Sequence, residues 1–231
     1  MKIVSILGSP NGEKGNTGLL LEEVLKGAKR LDAVCETISL RGDSLKPCRG
    51  CNQCHKTGIC HQKDDFESIK EKVLAADGLI LATPNYISHV SGQLKVFLDR
   101  CAGLIHCMSL EGKYGASVVT SGGGDEWPIV KYLNHFLVIT GVTPVDAVWA
   151  EMGTTKDRNL DEKTREQALS AGRNVVEAWK SKRRVAMVEK IQDAHRARMR
   201  ELVRYYRAEW PYEFAYWQER TRSEPIHKTE V

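Results

Sequence analysis

The chain has 231 residues, of which 42% are hydrophobic and 28% are charged, and this is the composition of an ordinary soluble globular protein. Its formal net charge of +4 does not indicate nucleic-acid binding, and no stretch approaches the ~20 apolar residues of a membrane span. The first residues, MKIVSILGSP, hold too short an apolar run for a signal peptide. We therefore predict a cytoplasmic protein whose seven cysteines stay reduced.

Strand and helix patterns alternate from the amino terminus to about residue 180. The predicted strands are 2–8, 33–40, 78–84, 114–124 and 142–150, and the predicted helices are 16–31, 64–76, 91–105, 127–141 and 160–180. Such alternation is typical of α/β proteins with a parallel sheet covered on both faces. Five units of this kind predict a doubly wound five-stranded parallel sheet within residues 1–182.

Residues 183–231 have a different pattern and are called the arm. Apolar residues recur every three or four positions along 185–206, and the aromatic-rich segment YYRAEWPYEFAYWQER overlaps and follows them. Because apolar patches of this size rarely stay uncovered, we expect the helical arm to pack on another surface. We favour a neighbouring subunit over the chain's own domain, with Trp210, Tyr212, Phe214 and Trp217 as anchors.

The first loop, GSPNGEKGNTG at residues 8–18, separates the first strand from the first helix. Ser9, Asn16 and Thr17 offer hydrogen-bond donors at a helix N-terminus, where backbone N–H groups and the helix dipole favour a phosphate. Gly15 permits a close approach of the backbone. The same residue types are the best helix caps, so the loop alone leaves phosphate binding and plain capping equally open.

Two further loops follow the third and fourth strands. The second loop is PNYISHVS at residues 84–91, and the third loop is SGGG at residues 121–124. In a doubly wound sheet all three loops lie at the carboxyl ends of the strands, where ligands bind. Tyr86 offers an aromatic face to a flat ring, and the glycines leave room for the ring's other edge. A phosphate at the first loop and a planar ring between the other two describe flavin mononucleotide (FMN).

The motif GSPNGEKGNTG followed by ATPNYISHVSGQLKVFLDR resembles the NAD(P)H-dependent FMN reductase branch of the flavodoxin-like superfamily, over roughly residues 1–180. The resemblance implies that the first loop binds the FMN phosphate, that the second and third loops hold the ring, and that the protein is a dimer or tetramer. The predicted cofactor-binding residues are Ser9, Pro10, Asn11, Gly15, Asn16, Thr17, Pro84, Asn85, Tyr86, Ile87, Ser121, Gly122, Gly123 and Gly124.

The cysteine loop, residues 47–61, contains four thiols in the run CRGCNQCHKTGIC. These are Cys48, Cys51, Cys54 and Cys60. The spacing C-x₂-C-x₂-C-x₅-C differs from the two separated C-x₂-C pairs of structural zinc sites. It is closer to the ferredoxin run that wraps a cubane, with Gly50 and Gly58 providing backbone freedom. The spacing favours one [4Fe–4S] cluster, and zinc or free redox thiols remain as alternatives.

A cysteine run at this point of an FMN reductase-like domain resembles the iron-sulfur flavoproteins. That resemblance implies a homo-oligomer in which a [4Fe–4S] cluster and FMN exchange electrons, with NAD(P)H or ferredoxin as donor and a small molecule as acceptor. Two alternatives remain. One is an FMN-dependent dehydrogenase of a specific organic metabolite, and the other is a redox-sensing binding module that acts through the arm.

The sequence also predicts the surroundings of several other residues. We expect His55 and His61 to be solvated residues of the cysteine loop, and His89 and His106 to lie near the flavin site. Asp99 and Arg100 are expected to form a salt-bridged helix end. The cysteines outside the loop are predicted to be buried as small hydrophobes; they are Cys35, Cys101 and Cys107.

Overall fold

The computed structural model describes residues 1–42, 44–153 and 159–223, so the end of the predicted polar tail lies outside the described residues. Its sheet has five parallel strands in the order β2-β1-β3-β4-β5. The strands are β1 Lys2–Leu7, β2 Val34–Ser39, β3 Gly78–Pro84, β4 Tyr114–Ser121 and β5 Thr143–Glu151. The predicted doubly wound parallel sheet is therefore confirmed. Three strands are shorter than predicted: β1 by one residue, β2 by two and β4 by three, the last because it ends at Ser121 where the glycines begin.

Helices cover both faces of the sheet and form the arm. In the described residues they are α1 Asn16–Lys29, α2 Gln53–Thr57, α3 Phe66–Leu74, α4 Gly92–Arg100, α5 Ala102–Cys107, α6 Glu126–Thr140, α7 Glu162–Ser181, α8 Ala186–Tyr205 and α9 Pro211–Ser223. The prediction of one continuous helix over 91–105 is wrong. The chain leaves helical geometry at Cys101 (φ −85°, ψ 16°), and α5 then packs against α9. None of these helices is both long enough and apolar enough to cross a membrane.

Successive strand residues point to opposite faces of the sheet, so each strand contributes to two hydrophobic cores. One core contains Val4 and Leu79 and is covered by α3, α4, α5 and α6. The other contains Ile3 and Ile80 and is covered by α1 and α7. Burial on both faces explains why the central strands read as continuous apolar runs. It also fixes the register of the strands and, with it, the position of the loops at their carboxyl ends.

The strand order reverses between β1 and β3, which defines the switch point of this fold. The chain enters β2 on one side of β1 and returns through β3 on the other side. The first loop follows β1, the second follows β3, the third follows β4, and the cysteine loop follows β2. All four segments therefore start from the same edge of the sheet.

The arm folds back on its own chain, so the preference for a neighbouring subunit as its packing surface is wrong. In α8, Gln192 Nε2 donates to the carbonyl of Val142 at 3.1 Å, and Arg196 pairs with Glu111 at 2.9 Å. In α9, Trp217 is 4% exposed and its indole N–H donates to the carbonyl of His106. The predicted anchors Trp210 and Phe214 pack with Trp217 in a small core between α8 and α9. An amphipathic pattern shows that a helix covers something, but it does not show which surface.

Candidate functional site

The first loop is shaped by backbone hydrogen bonds. Its amides at Gly12 and Gly15 donate to the carbonyls of Ser9 and Gly12, at 2.9 and 3.1 Å. The helix α1 begins after Gly15, and a glycine has no side chain that could cap the helix. There is also no acidic residue in the first turn of the helix. The first-turn N–H groups of α1 are therefore not satisfied by a capping side chain. This arrangement fits a phosphate better than it fits the plain capping alternative.

The side chains of the first loop are placed at different depths. Ser9 and Thr17 are buried, while Asn16 is half-buried and Asn11 is exposed. The Thr17 hydroxyl lies 2.6 Å from the hydroxyl of Thr120 on β4. This bond joins the start of α1 to the end of a neighbouring strand. Thr17 therefore anchors the start of α1, and with it the end of the first loop, to β4.

The second loop makes a tight turn that presents its side chains to solvent. Tyr86 and His89 exchange backbone hydrogen bonds at 2.9 and 3.1 Å, and the two residues between them, Ile87 and Ser88, both have positive φ angles. Two successive non-glycine residues in the left-handed region are uncommon, and such strain is concentrated at functional sites. Ile87 is 98% exposed and Tyr86 is 46% exposed. The turn therefore leaves an apolar and an aromatic side chain open at the edge of the sheet.

Asn85 links the second and third loops and leaves one polar atom unused. Its backbone N–H donates to Thr120 and its side-chain Nδ2 donates to the carbonyl of Gly124 at 3.0 Å. Its Oδ1 is buried and has no hydrogen-bond partner among the described residues. A buried amide oxygen without a partner is costly. The N–H groups of a flavin ring would supply the missing donor, so this residue fits an FMN bound here.

The third loop has open space where a flat ring would lie. A Cβ added at Gly122 or Gly124 would meet no atom within 4 Å, and Gly124 has a φ of +94° that disfavours any side chain. The Ser121 hydroxyl bonds Glu126 and accepts from the N–H of Gly124. Ser88 reaches across from the second loop to Asp125 at 3.1 Å. The two loops are thus joined, and the space beside Gly122 and Gly124 stays open.

The cysteine loop wraps through three residues of positive φ: Gly50, Asn52 and Gly58. Its thiols are free, with Cys48 and Cys51 exposed and Cys54 and Cys60 half-buried. Cys54 lies on the short helix α2, and the N–H of Gly58 donates back to the Cys54 carbonyl at 2.9 Å. The predicted backbone freedom of Gly50 and Gly58 is therefore used in the structure.

A buried arginine sits against the last thiol of the cysteine loop. Arg100 Nη2 lies 3.1 Å from Cys60 Sγ, and the same guanidinium forms a two-pronged ion pair with Asp64 and donates to the carbonyl of Lys46. Both side chains of the pair are almost fully buried. Burial opposes ionisation of Asp64, but hydrogen bonds from Arg100 and two backbone N–H groups outweigh it and lower its pKa to about 2. A fixed cation beside a sulfur suits a thiolate.

The expected Asp99–Arg100 pair is therefore wrong. Asp99 instead pairs with Lys95 one turn earlier, and Arg100 turns inward. Its partners Lys46 and Asp64 border the two ends of the cysteine loop, so one guanidinium connects these two ends through hydrogen bonds. The signal in the sequence was an arginine at the end of an amphipathic helix, and only the fold shows that Asp64 lies opposite it.

Among the described residues, the compact group of potential metal ligands is His55, His106 and Glu213, whose ligand atoms lie within 4.8 Å of one another, and it includes none of these thiols. A cavity of about 230 Å³ lies between Pro47, at the start of the cysteine loop, and Gly92, just after the second loop. The cysteine loop and the second loop are therefore neighbours.

Two histidines that were expected elsewhere meet at a buried glutamate of the arm. Glu213 is fully buried, and its two oxygens lie 2.6 Å from His55 Nδ1 and 3.0 Å from His106 Nδ1. The expectations of a solvated His55 and of His106 beside the flavin are therefore wrong. Burial opposes the ionisation of Glu213, but the hydrogen bonds from His106 and His55 outweigh it and lower its pKa. His61 is exposed, as expected, and its Nδ1 lies 3.6 Å from Cys51 Sγ.

The three cysteines outside the loop behave as packing residues. Cys101 and Cys107 are buried, and burial raises the pKa of each thiol well above its ordinary value. Cys35 on β2 is half-buried and packs against the core that α1 and α7 cover. Thiols in such surroundings are protonated and unreactive, which agrees with their predicted role.

The sheet order and the three loops at its switch point define a flavodoxin-like flavoprotein. The family model described as NADPH-dependent FMN reductase matches residues 1–156. An iron-sulfur flavoprotein of Archaeoglobus fulgidus is 34% identical over 80% of this chain and 83% of its own length. One of Methanocaldococcus jannaschii is 36% identical over 78% and 98%. The chain belongs to the NADPH-dependent FMN reductase family and, within it, to the iron-sulfur flavoproteins, and it is an FMN-dependent oxidoreductase.

Solved structures of low sequence identity agree with the fold. An NADH:FMN oxidoreductase in its apo form is 23% identical, with a TM-score of 0.57 over 78% of this chain and 89% of its own. The structure of RosB is 12% identical, with a TM-score of 0.58 over 100% of this chain and 91% of its own. At these identities the likeness establishes the fold and nothing further.

Proposed function

We propose that this oxidoreductase holds a [4Fe–4S] cluster on Cys48, Cys51, Cys54 and Cys60 beside FMN, and that the two centres exchange electrons. The observation that carries the proposal is the common edge of the sheet, from which the cysteine loop and the three flavin loops all start. The guanidinium of Arg100 against Cys60 Sγ supports thiolate ligation at this loop. The names of the relatives in Archaeoglobus and Methanocaldococcus support the pairing of the two cofactors.

The residues assigned to FMN divide by loop. The first loop and the N-terminus of α1 would hold the phosphate, with Ser9, Asn16 and Thr17 as side-chain donors. Asn85 would accept a hydrogen bond from the ring through its unpartnered Oδ1. Tyr86 and Ile87 would cover one side of the ring, and the third loop would approach its edge. The remaining members of the proposed binding set are Pro10, Asn11, Gly15, Pro84, Ser121, Gly122, Gly123 and Gly124.

When bound, FMN would accept electrons singly or in pairs and the cluster would accept them singly, so that a two-electron reaction can be matched to one-electron partners. The family supports NAD(P)H as a donor, and ferredoxin remains the one-electron alternative, with a small molecule as acceptor. The assembly that we propose is a homodimer or homotetramer. Its compartment is the cytoplasm, where thiols stay reduced.

Anaerobic rapid mixing tests this function. The protein is mixed with NADH, NADPH or reduced ferredoxin, and flavin absorbance is followed in the native protein and in Cys54→Ala. We expect at least one donor to reduce the flavin in the native protein. For a one-electron donor, Cys54→Ala should lower that rate at least tenfold while one FMN per chain is retained. Equal rates of flavin reduction by ferredoxin in the two proteins would contradict electron flow through the cysteine loop.

A further inference from the structure

The arm makes a compact polar contact with the cysteine loop. Glu213 on α9 bonds His55 on α2 and His106 on α5, across sequence separations of 158 and 107 residues. These three residues are called the clasp. A carboxylate with no solvent exposure is tolerated only when its oxygens are hydrogen-bonded. The clasp satisfies both oxygens, so three elements that are distant in sequence are held at one point.

Aromatic packing covers the clasp. The indole of Trp210 lies 4.6 Å from the His55 ring and 5.1 Å from the His106 ring, measured between ring centroids. Tyr206 in turn stacks on Trp210, with 4.6 Å between ring centroids. A partly closed site of this kind strengthens the hydrogen bonds inside it, because water is excluded.

A second part of the arm contacts the C-terminal end of α2. A Cβ added at Gly58 would come within 2.4 Å of the Tyr212 ring, so the absence of a side chain at Gly58 lets α9 approach this closely. A cavity of about 240 Å³ lies beneath Tyr212 and Tyr216 and is also lined by Cys54 and Arg100. The arm therefore covers the space next to Cys54.

The clasp has the composition of a zinc site but not its geometry. Two histidines and a glutamate form a known catalytic zinc ligand set, with donors about 2.0–2.2 Å from the ion. At the tetrahedral angle, two such donors lie about 3.3 Å apart. The 2.6 Å between His55 Nδ1 and the Glu213 carboxylate is instead the length of a charge-assisted hydrogen bond. A shared proton fits this distance and a shared ion does not.

We infer that Glu213 is a positioning residue for the iron–sulfur cluster: through His55 it fixes α2, and with it the adjacent ligand Cys54, beneath the arm. The inference rests on the proposed function, because it assumes that Cys54 is a cluster ligand. Without the carboxylate, α2 keeps its packing against Trp210 and Tyr212 but loses the hydrogen-bonded connection that joins it to α5 and α9. The ligand sulfur is then free to shift, and the space beside it opens to solvent.

The test compares Glu213→Ala, Glu213→Gln and the matched control Glu219→Ala, an exposed glutamate of the same helix. Each protein is purified without oxygen, and its iron, sulfide, zinc and FMN are measured. Iron release to a chelator is timed, and the electron paramagnetic resonance spectrum of the reduced protein is recorded. We expect Glu213→Ala to release iron at least tenfold faster with an altered spectrum, while one FMN per chain remains. Glu213→Gln should be intermediate, because its amide oxygen can accept one of the two hydrogen bonds. Glu219→Ala should match the native protein.

Other results would overturn the inference in distinguishable ways. If the native protein holds its iron and sulfide and Glu213→Ala behaves identically, the positioning role is wrong and the proposed function stands. If the native protein lacks iron and sulfide, the proposed function fails and the inference fails with it. Zinc in the native protein that is lost in both Glu213 variants would show an ion site instead of a clasp. Should Glu213→Ala not fold, the same comparison of Glu213→Gln with the native protein decides the question.

Discussion

The guanidinium of Arg100 lies 3.1 Å from the sulfur of Cys60, and it comes from the helix that begins beside the first loop. At the other end of that helix, the Ser91 hydroxyl donates to the carbonyl of Gly8. One rigid helix of nine residues therefore touches both the loop assigned to the FMN phosphate and a thiol assigned to the cluster. The distance between the two proposed centres is set by packed secondary structure.

Replacing Arg100 with Lys should lower the reduction potential of the cluster. Hydrogen bonds to cluster sulfurs help set this potential. A lysine keeps the positive charge but lacks the planar guanidinium, whose several N–H groups donate to Asp64 and to Cys60 at the same time. We expect at least a tenfold change in the equilibrium constant for reduction, which is about 59 mV for a one-electron couple. An anaerobic redox titration measures it, with Asp99→Asn on the exposed side of the same helix as control. An unchanged potential at full iron content would contradict the assigned contact.

Replacing Asn16 with Ala should weaken FMN binding through the phosphate. A hydrogen bond to a charged group contributes about 1.5–3 kcal/mol, so the dissociation constant should rise about tenfold or more. Thr17→Ala should have a similar effect and also lose its bond to Thr120. Fluorescence titration with FMN and with riboflavin separates the two roles, since riboflavin has no phosphate and should bind almost unchanged. Equal weakening for both ligands would mean that these residues only shape the helix start.

Replacing Cys51 or Cys54 with Ala should remove the iron and leave FMN in place, because the flavin loops are separate segments. Cys35→Ala serves as the control, since this half-buried thiol packs on the opposite side of the sheet from the α4 core. Metal and flavin analysis of the three proteins gives the result directly. Full iron in Cys51→Ala and in Cys54→Ala would show that these thiols are not ligands.

Replacing Trp217 with Ala should destabilise the fold without changing the number of subunits. The side chain is 4% exposed, and truncating a buried tryptophan costs roughly 3–5 kcal/mol. Tyr205, which is 77% exposed, provides the control, and Tyr205→Ala should change the free energy of unfolding by no more than about 0.5 kcal/mol. Denaturant unfolding gives both values, and sedimentation gives the assembly. Dissociation of Trp217→Ala into smaller species would restore the intersubunit role that the sequence suggested.

The sequence predicted the fold because each layer has a local signal. Strands buried on both faces read as apolar runs, and helices such as 16–31 show apolar residues at helical spacing. The positions of the candidate-site loops could also be predicted from local signals, since each loop follows a recognisable strand. The contacts of Arg100 and Glu213 were not predictable in this way. Their partners Asp64 and His55 lie 36 and 158 residues away, and only the packed fold brings them together.

Quantitative analysis of the protein purified without oxygen tests the central claim most directly. Iron, acid-labile sulfide, zinc and FMN are measured per chain, together with the absorption spectrum. The proposal predicts one FMN with about four iron and four sulfide per chain, as a [4Fe–4S] cluster requires, and flavin bands that overlie a broad absorbance from the cluster. One zinc per chain, or stoichiometric FMN with neither iron nor sulfide, would contradict it.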